Sequence, residues 1–217
     1  MDRRCKTALA AARWLGVKEG TREHRDILAV YNAIQPLPRG YRVRETDAWC
    51  AAFVSAVAVM AGEGSSYPLE CSCVQIVEKA KDMGIWQEGD DLVPEVGDWV
   101  LYNWQAKPGG DDTGAPDHVG IVIGVESGEI LAVEGNYDNA VKLRRFPLDY
   151  ERIRGFVCPK LEEKEVYHTL EEVPAYGRDT IGRLVESGAL LGVTNRNLGL
   201  TEELVRILVI LDRLGKL

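Results

Sequence analysis

No stretch of this 217-residue chain approaches the roughly eighteen consecutive apolar residues of a membrane-spanning helix, so membrane insertion is not expected. Positive charge is in deficit: 26 Lys and Arg stand against 34 Asp and Glu, for a net charge of −8. That removes the bulk attraction used by nucleic-acid and anionic-lipid binders. Histidine is scarce (His24, His118 and His168), and no two cysteines have Cys-x-x-Cys spacing, so no zinc or other metal site is expected from them. The five cysteines, at 5, 50, 71, 73 and 158, are odd in number, and the tight Cys71-Ser72-Cys73 spacing does not resemble a disulfide framework. Cys71 and Cys73 read as structural. Internal repeats and low-complexity tracts are absent. A secretory signal is not expected either, because Ala8 to Gly16 is interrupted by Arg13 and has the pattern of an amphipathic helix.

The composition that remains is globular, 46% hydrophobic and 28% charged, ample for a core. The first third predicts helices. Leu9, Ala12 and Leu15 mark one apolar stripe, and Ile27, Val30, Tyr31 and Ile34 another, ended by Pro36 and Pro38. A third helix is expected to start with Asp47 as its cap and run to Ala61, and Ser72 with Gln75 has the pattern of a capping box opening a fourth. After residue 90 the period changes. Asp98 to Asn103, His118 to Val125, Glu129 to Gly135, Val141 to Arg145 and Ile153 to Val157 read as strands. Helices followed by mostly antiparallel strands predict an α+β domain.

A nucleophilic cysteine needs a depressed pKa, a base and partial exposure. Cys50 falls in the first turn of the third helix, where unpaired amides and the helix dipole favour a thiolate and can receive an oxyanion. His24 lies in a charged run (Arg22, Glu23, Arg25, Asp26) and is expected to be solvated, and His168 follows an acidic segment. His118 opens an apolar strand at the end of a polar loop, where a cleft can expose it, with Gly120 leaving room beside the ring. A three-residue hairpin loop, Glu126-Ser127-Gly128, would set Val125 opposite Glu129 and His118 opposite Asn136, with Glu134 on the same face. A two-residue loop would turn both Glu134 and Asn136 away.

Four motifs then carry a resemblance. Asp47-Ala48-Trp49-Cys50-Ala51-Ala52-Phe53-Val54-Ser55 resembles the nucleophile segment of the CHAP family of peptidoglycan amidohydrolases and endopeptidases. Val96-Gly97-Asp98-Trp99-Val100-Leu101-Tyr102 is similar to that family's Gly-Asp strand. Asp117-His118-Val119-Gly120-Ile121-Val122 resembles its histidine strand, and Val133-Glu134-Gly135-Asn136 its Glu-Gly-Asn motif. The resemblance implies a papain-like cysteine hydrolase fold, N-terminal helices packed on an antiparallel sheet. It implies Cys50 as nucleophile, His118 as base, and Glu134 and Asn136 as orienting groups, with peptidoglycan as substrate. Within the family, Thr46-Asp47-Ala48-Trp49-Cys50, Glu70-Cys71-Ser72-Cys73 and Gly114-Ala115-Pro116-Asp117-His118 resemble segments of lysins of phages and prophages of Gram-positive gut bacteria. Such lysins are made in the cytoplasm without a signal peptide and reach the wall after holin-type release. Trp49, Tyr102, Trp104 and Asp117 flank these motifs and are candidate substrate-binding residues. No cofactor is implied. Some relatives bind calcium, for which only Glu45 and Asp47 stand near the cysteine, while Asp111, Asp112 and Asp117 form a second acidic group.

Residues 1–160 are therefore expected to form the catalytic domain, 161–167 a solvated linker and 168–217 a small helical module, too short to bury much core alone. Leu204, Ile207, Leu208, Leu211 and Leu214 make an apolar stripe on its last helix. The module could dock on the catalytic domain, dimerise or bind cell wall. Two other classes fit the same residues: a cysteine protease or transferase acting on another substrate, and a non-catalytic wall-binding protein.

Overall fold

In the computed structural model, which describes residues 3–89, 92–105, 114–161, 166–190 and 197–216, four helices precede the sheet. They are α1 (Arg3–Ala12), α2 (Arg22–Asn32), α3 (Cys50–Met60) and α4 (Cys73–Asp82). The strands are β1 (Trp86–Glu88), β2 (Trp99–Tyr102), β3 (His118–Glu126), β4 (Glu129–Tyr137), β5 (Ala140–Pro147) and β6 (Ile153–Val157). They form one antiparallel sheet in the order β1-β6-β2-β3-β4-β5. This is the α+β architecture the pattern predicts. No helix among the described residues is long and apolar enough to cross a membrane.

The central helix α3 is apolar all round, and every residue from Cys50 to Ala58 is buried. Such a helix is stable only inside a protein. Its small side chains let the sheet come close: a Cβ added to Gly135 on β4 would lie 2.5 Å from the Phe53 ring. That contact brings the start of α3 against the part of the sheet that carries His118. The buried residues of α1 are Thr7, Ala8 and Ala11, while Leu9 and Leu15 are exposed, so the expected stripe is the outer one. Arg4 on α1 reaches Asp98 at 2.7 Å, and the second Asp98 oxygen accepts the Glu95 amide at 2.9 Å, which ties α1 to the start of β2. Ser72 does cap α4, but by its backbone alone; the expected side-chain bond is absent.

The β3–β4 hairpin corrects one expectation and rescues another. Its loop has two residues, Ser127 and Gly128, both at positive φ (53° and 81°), and Glu126 pairs with Glu129. By itself this register would turn Glu134 away from His118. A β-bulge between Val122 and Gly124 absorbs one residue of β3, so that farther along Ile121 pairs with Val133 and Gly120 with Glu134. The site end of the hairpin thus has the pairing that a three-residue loop would have produced.

The chain divides into two compact units, Met1–Leu161 and Glu162–Leu217. Leu161, expected in the linker, packs on the core of the first unit. The second unit contains β7 (Val166–Tyr167), α5 (Ala175–Glu186), β8 (Leu200–Thr201) and α6 (Glu202–Arg213), with β7 and β8 paired. It has a core of its own, built from Tyr167, Val173, Ile181, Leu200, Val205 and Val209. Val205 and Val209 form the inward face of α6, whereas Leu204, Ile207, Ile210 and Leu214 are exposed. The apolar stripe read from the sequence is therefore mostly the outer face.

Candidate active site

The turn before α3 is closed by Asp47, whose carboxylate accepts the Arg44 amide at 2.8 Å and the Tyr41 hydroxyl at 2.9 Å. Asp47 is thereby spent two residues before the helix cap. Trp49 is the cap, without a side-chain bond, and Cys50 is the first helical residue. The expected cap was wrong. The consequence for Cys50 is greater exposure to the unpaired first-turn amides and the dipole. The residue is buried at 5% exposure, and its sulfur lies 3.9 Å from the Cys73 sulfur. The Cys50 thiol is held well below its ordinary range by the hydrogen bond from Cys73, then by the imidazole of His118 and the amide of Ala51; burial opposes this.

His118 starts β3 opposite Tyr102 and is 7% exposed. Its Nε2 lies 3.0 Å from Glu134 Oε2, which leaves Nδ1 for the thiol. Burial disfavours the imidazolium, but hydrogen bonds to Cys50 and Glu134, and their charges, outweigh it and push the pKa up to about 9. Glu134 is fully buried and fits over β3 because residue 120 is glycine: a Cβ there would lie 2.6 Å from Glu134 Cγ. The room provided by Gly120 thus serves the carboxylate rather than the ring. Sequence reasoning missed Arg144. Its guanidinium lies 3.3 Å from Glu134 Oε1 and over the rings of Tyr102, Trp104, Tyr137, Phe146 and Tyr150, 4.7–5.8 Å from their centroids. A buried carboxylate needs such compensation, and Arg144 supplies it from the neighbouring strand. Cysteine sulfur, imidazole, carboxylate and guanidinium follow one another across the site, an arrangement able to attack a carbonyl and to protonate a leaving group.

The other sequence candidates separate. Asn136 sits at a register shift of β4 with φ 58°, and no hydrogen bond joins it to the ring. Trp49 is fully buried, its indole N–H donating to Glu19 at 3.1 Å and its ring 4.7 Å from His24, so it cannot line a substrate surface. Tyr102 is likewise fully buried, beneath Trp104 at 5.3 Å between ring centroids. Trp104 itself is partly exposed and 5.6 Å from the His118 ring, and Asp117 is exposed and accepts the Trp104 amide at 3.0 Å; both remain beside the site. His24 is buried, not solvated: it shares the inner face of α2 with Ile27, Leu28 and Tyr31, a spacing visible in the sequence. His168, in the second unit, meets Asn197 at 2.9 Å. Glu45 is paired with Arg25, Asp111 and Asp112 lie outside the described residues, and no three metal-ligating side chains converge among the described ones. Cys73, expected to be structural, stands beside the nucleophile candidate.

No curated protein matches the chain. Among solved structures it is similar to the crystal structure of Ly7917, at 19% identity over 51% of this chain and 53% of that one, with a TM-score of 0.36. It is also similar to the crystal structure of Ly7917 with the hydrolyzing product of MDP, at 16% identity over 55% and 59%, again with a TM-score of 0.36. The chain thus spans little more than half the length of either. Its cysteine-bearing helix packed against an antiparallel sheet that carries the histidine is a papain-like α+β arrangement, and residues 41–136, from the approach to Cys50 through Asn136, match the CHAP domain.

Proposed function

We propose that this chain is a peptidoglycan hydrolase of the endolysin kind, cutting an amide bond in the peptide part of the bacterial cell wall. The observation that carries the reading is the 3.0 Å contact of His118 Nε2 with buried Glu134, beside Cys50 at its helix start, all within the stretch that matches the CHAP domain. The Cys50 thiolate attacks the amide carbonyl, and His118, which holds the proton, delivers it to the leaving amine. Water then opens the thioester with His118 as base, returning acid and free enzyme. Glu134 stabilises the imidazolium, and Arg144 holds Glu134 in place. The oxyanion is received by the Cys50 amide. The test is digestion of purified cell walls followed by mass spectrometry of the released fragments. New amino and carboxyl termini within the peptide part support the reading, and fragments ending only in new sugar termini refute it.

Glu134→Gln should cost more than Asn136→Ala. A charged hydrogen bond to the imidazolium contributes about 1.5–3 kcal/mol, so the first change should lower kcat/KM by roughly 10–100-fold. Asn136, without a bond to the ring, should lose much less. The reverse order would make Asn136 the main orienting group.

The raised pKa of His118 makes a second prediction. The folded value of about 9 lies above the unfolded 6.5, so the imidazolium persists through neutral pH and is lost as pH rises through about 9. Both kcat/KM and the stabilising contribution of the ion pairs should fall along that limb. A profile still flat a unit above pH 9 would remove the imidazolium from the mechanism.

The second unit has its own core, and we assign it to wall attachment. Truncation after Leu161, rather than before it, should leave a folded hydrolase with unchanged melting temperature and full activity on soluble wall fragments. Activity on intact walls should fall, because a second attachment point raises effective concentration at a polymer. A large drop in melting temperature with loss on both substrates would refute the assignment.

A further inference from the structure

Cys73 has no part in the reaction described so far, yet its position is not that of a packing cysteine. It is the first residue of α4, as Cys50 is the first of α3, so two helix starts meet at one pair of sulfurs 3.9 Å apart. Both side chains are buried, and both thiols are free. First-turn amides serve the pair from both sides, that of Ala51 at the Cys50 sulfur and that of Cys73 at its own. Such a place stabilises one negative charge but not two, since two thiolates at this separation in a buried site would repel strongly. The groups around the pair decide which sulfur is charged. The cation His118 faces Cys50, with Glu134 and Arg144 behind it, whereas the anion Asp117 acts on Cys73. The charge therefore rests on Cys50 and the proton on Cys73, whose S–H has a negatively charged sulfur beside it as acceptor. In keeping with this, the Cys73 thiol is raised well above its ordinary range, first by its bond to Cys50.

We propose that Cys73 is a positioning residue for the nucleophile: its thiol donates a hydrogen bond to the Cys50 sulfur and so sets both the charge and the direction of that sulfur. This deepens, and rests on, the reading of Cys50 as the nucleophile. Cys73 keeps its proton throughout, and no bond to it is made or broken. A charge-assisted bond of this kind is stronger than a neutral one, although a thiol is a weak donor. Its loss should shift the titration of Cys50 by about one pH unit.

The test is the pH dependence of iodoacetamide alkylation of the full chain, with the labelled cysteine identified by mass spectrometry. The wild-type chain should be labelled first at Cys50, with an inflection well below that of a free thiol. Cys73→Ala, which removes the donor, should raise the inflection by about one unit. Cys73→Ser, which retains a donor of nearly the same size, should restore at least half of that shift. Circular dichroism establishes that each variant is folded, and Cys73→Val gives a second donor-free comparison if the alanine variant is not. Equal inflections in all the chains, a serine variant displaced as far as the alanine one, or first labelling at Cys73 would each overturn the proposal. Alkylation needs no cell wall, so failure of the hydrogen bond and failure of the hydrolase reading are separate results.

Discussion

Cys50→Ser is expected to lower release of fragments from purified walls by at least about 10³-fold, the order of loss when a covalent nucleophile is removed. The substitution changes one buried atom at the start of α3, and serine is well suited to the first turn of a helix, so the fold should survive. What disappears is the thiolate. Every influence that holds the Cys50 thiol low, namely the Cys73 bond, the imidazole and the Ala51 amide, acts on a thiol, a group that even unperturbed ionises at about 8.5. An alcohol lies too far above that range for the same surroundings to ionise it. Residual activity within about tenfold of wild type, at unchanged melting temperature, would show that the sulfur is not the nucleophile.

His118→Ala should reduce kcat/KM by on the order of 10²–10⁴-fold, because proton transfer to the leaving amine loses its carrier. It should also lower stability, since Glu134 is fully buried and would keep Arg144 but lose its contact at 3.0 Å. Activity is therefore to be read well below the melting temperature. His24→Ala is the informative contrast. Its ring is buried against Trp49, and its Nδ1 accepts the Gly20 amide at 3.2 Å. Losing that packing should cost about 2–4 kcal/mol of stability, with kcat/KM near wild type in the fraction that remains folded. A chemical loss at His24 as large as that at His118 would mean that the wrong histidine has been assigned.

How much of this was legible beforehand differs from element to element. Alternation of apolar residues located β2 to β6, and Pro36 and Pro38 marked the end of α2's neighbourhood, because these signals are local. The burial of His24 was legible too: positions 24, 27, 28 and 31 share one helix face, and charged neighbours at 22, 23, 25 and 26 do not alter that geometry. The three-residue β1 was too short to leave a pattern. The start of α3 was misread because Asp47, a good cap by type, is consumed by Tyr41 and Arg44 in the preceding turn.

By itself, then, the sequence determined the α+β order of elements, the cysteine at a helix start and the histidine at a strand start, since each follows from periodicity and turn chemistry within a few residues. The tertiary structure alone decided what those two residues meet. The register that brings Glu134 beneath His118 depends on a bulge reconciling two constraints, a two-residue turn at one end of the hairpin and the packing of Gly135 on Phe53 at the other. Cys73, 23 residues from Cys50, and Arg144, one strand over from Glu134, reach the site only when helices and sheet close on each other. Their roles come from electrostatics between groups distant in the chain, and no local pattern of residues encodes a distance of that kind.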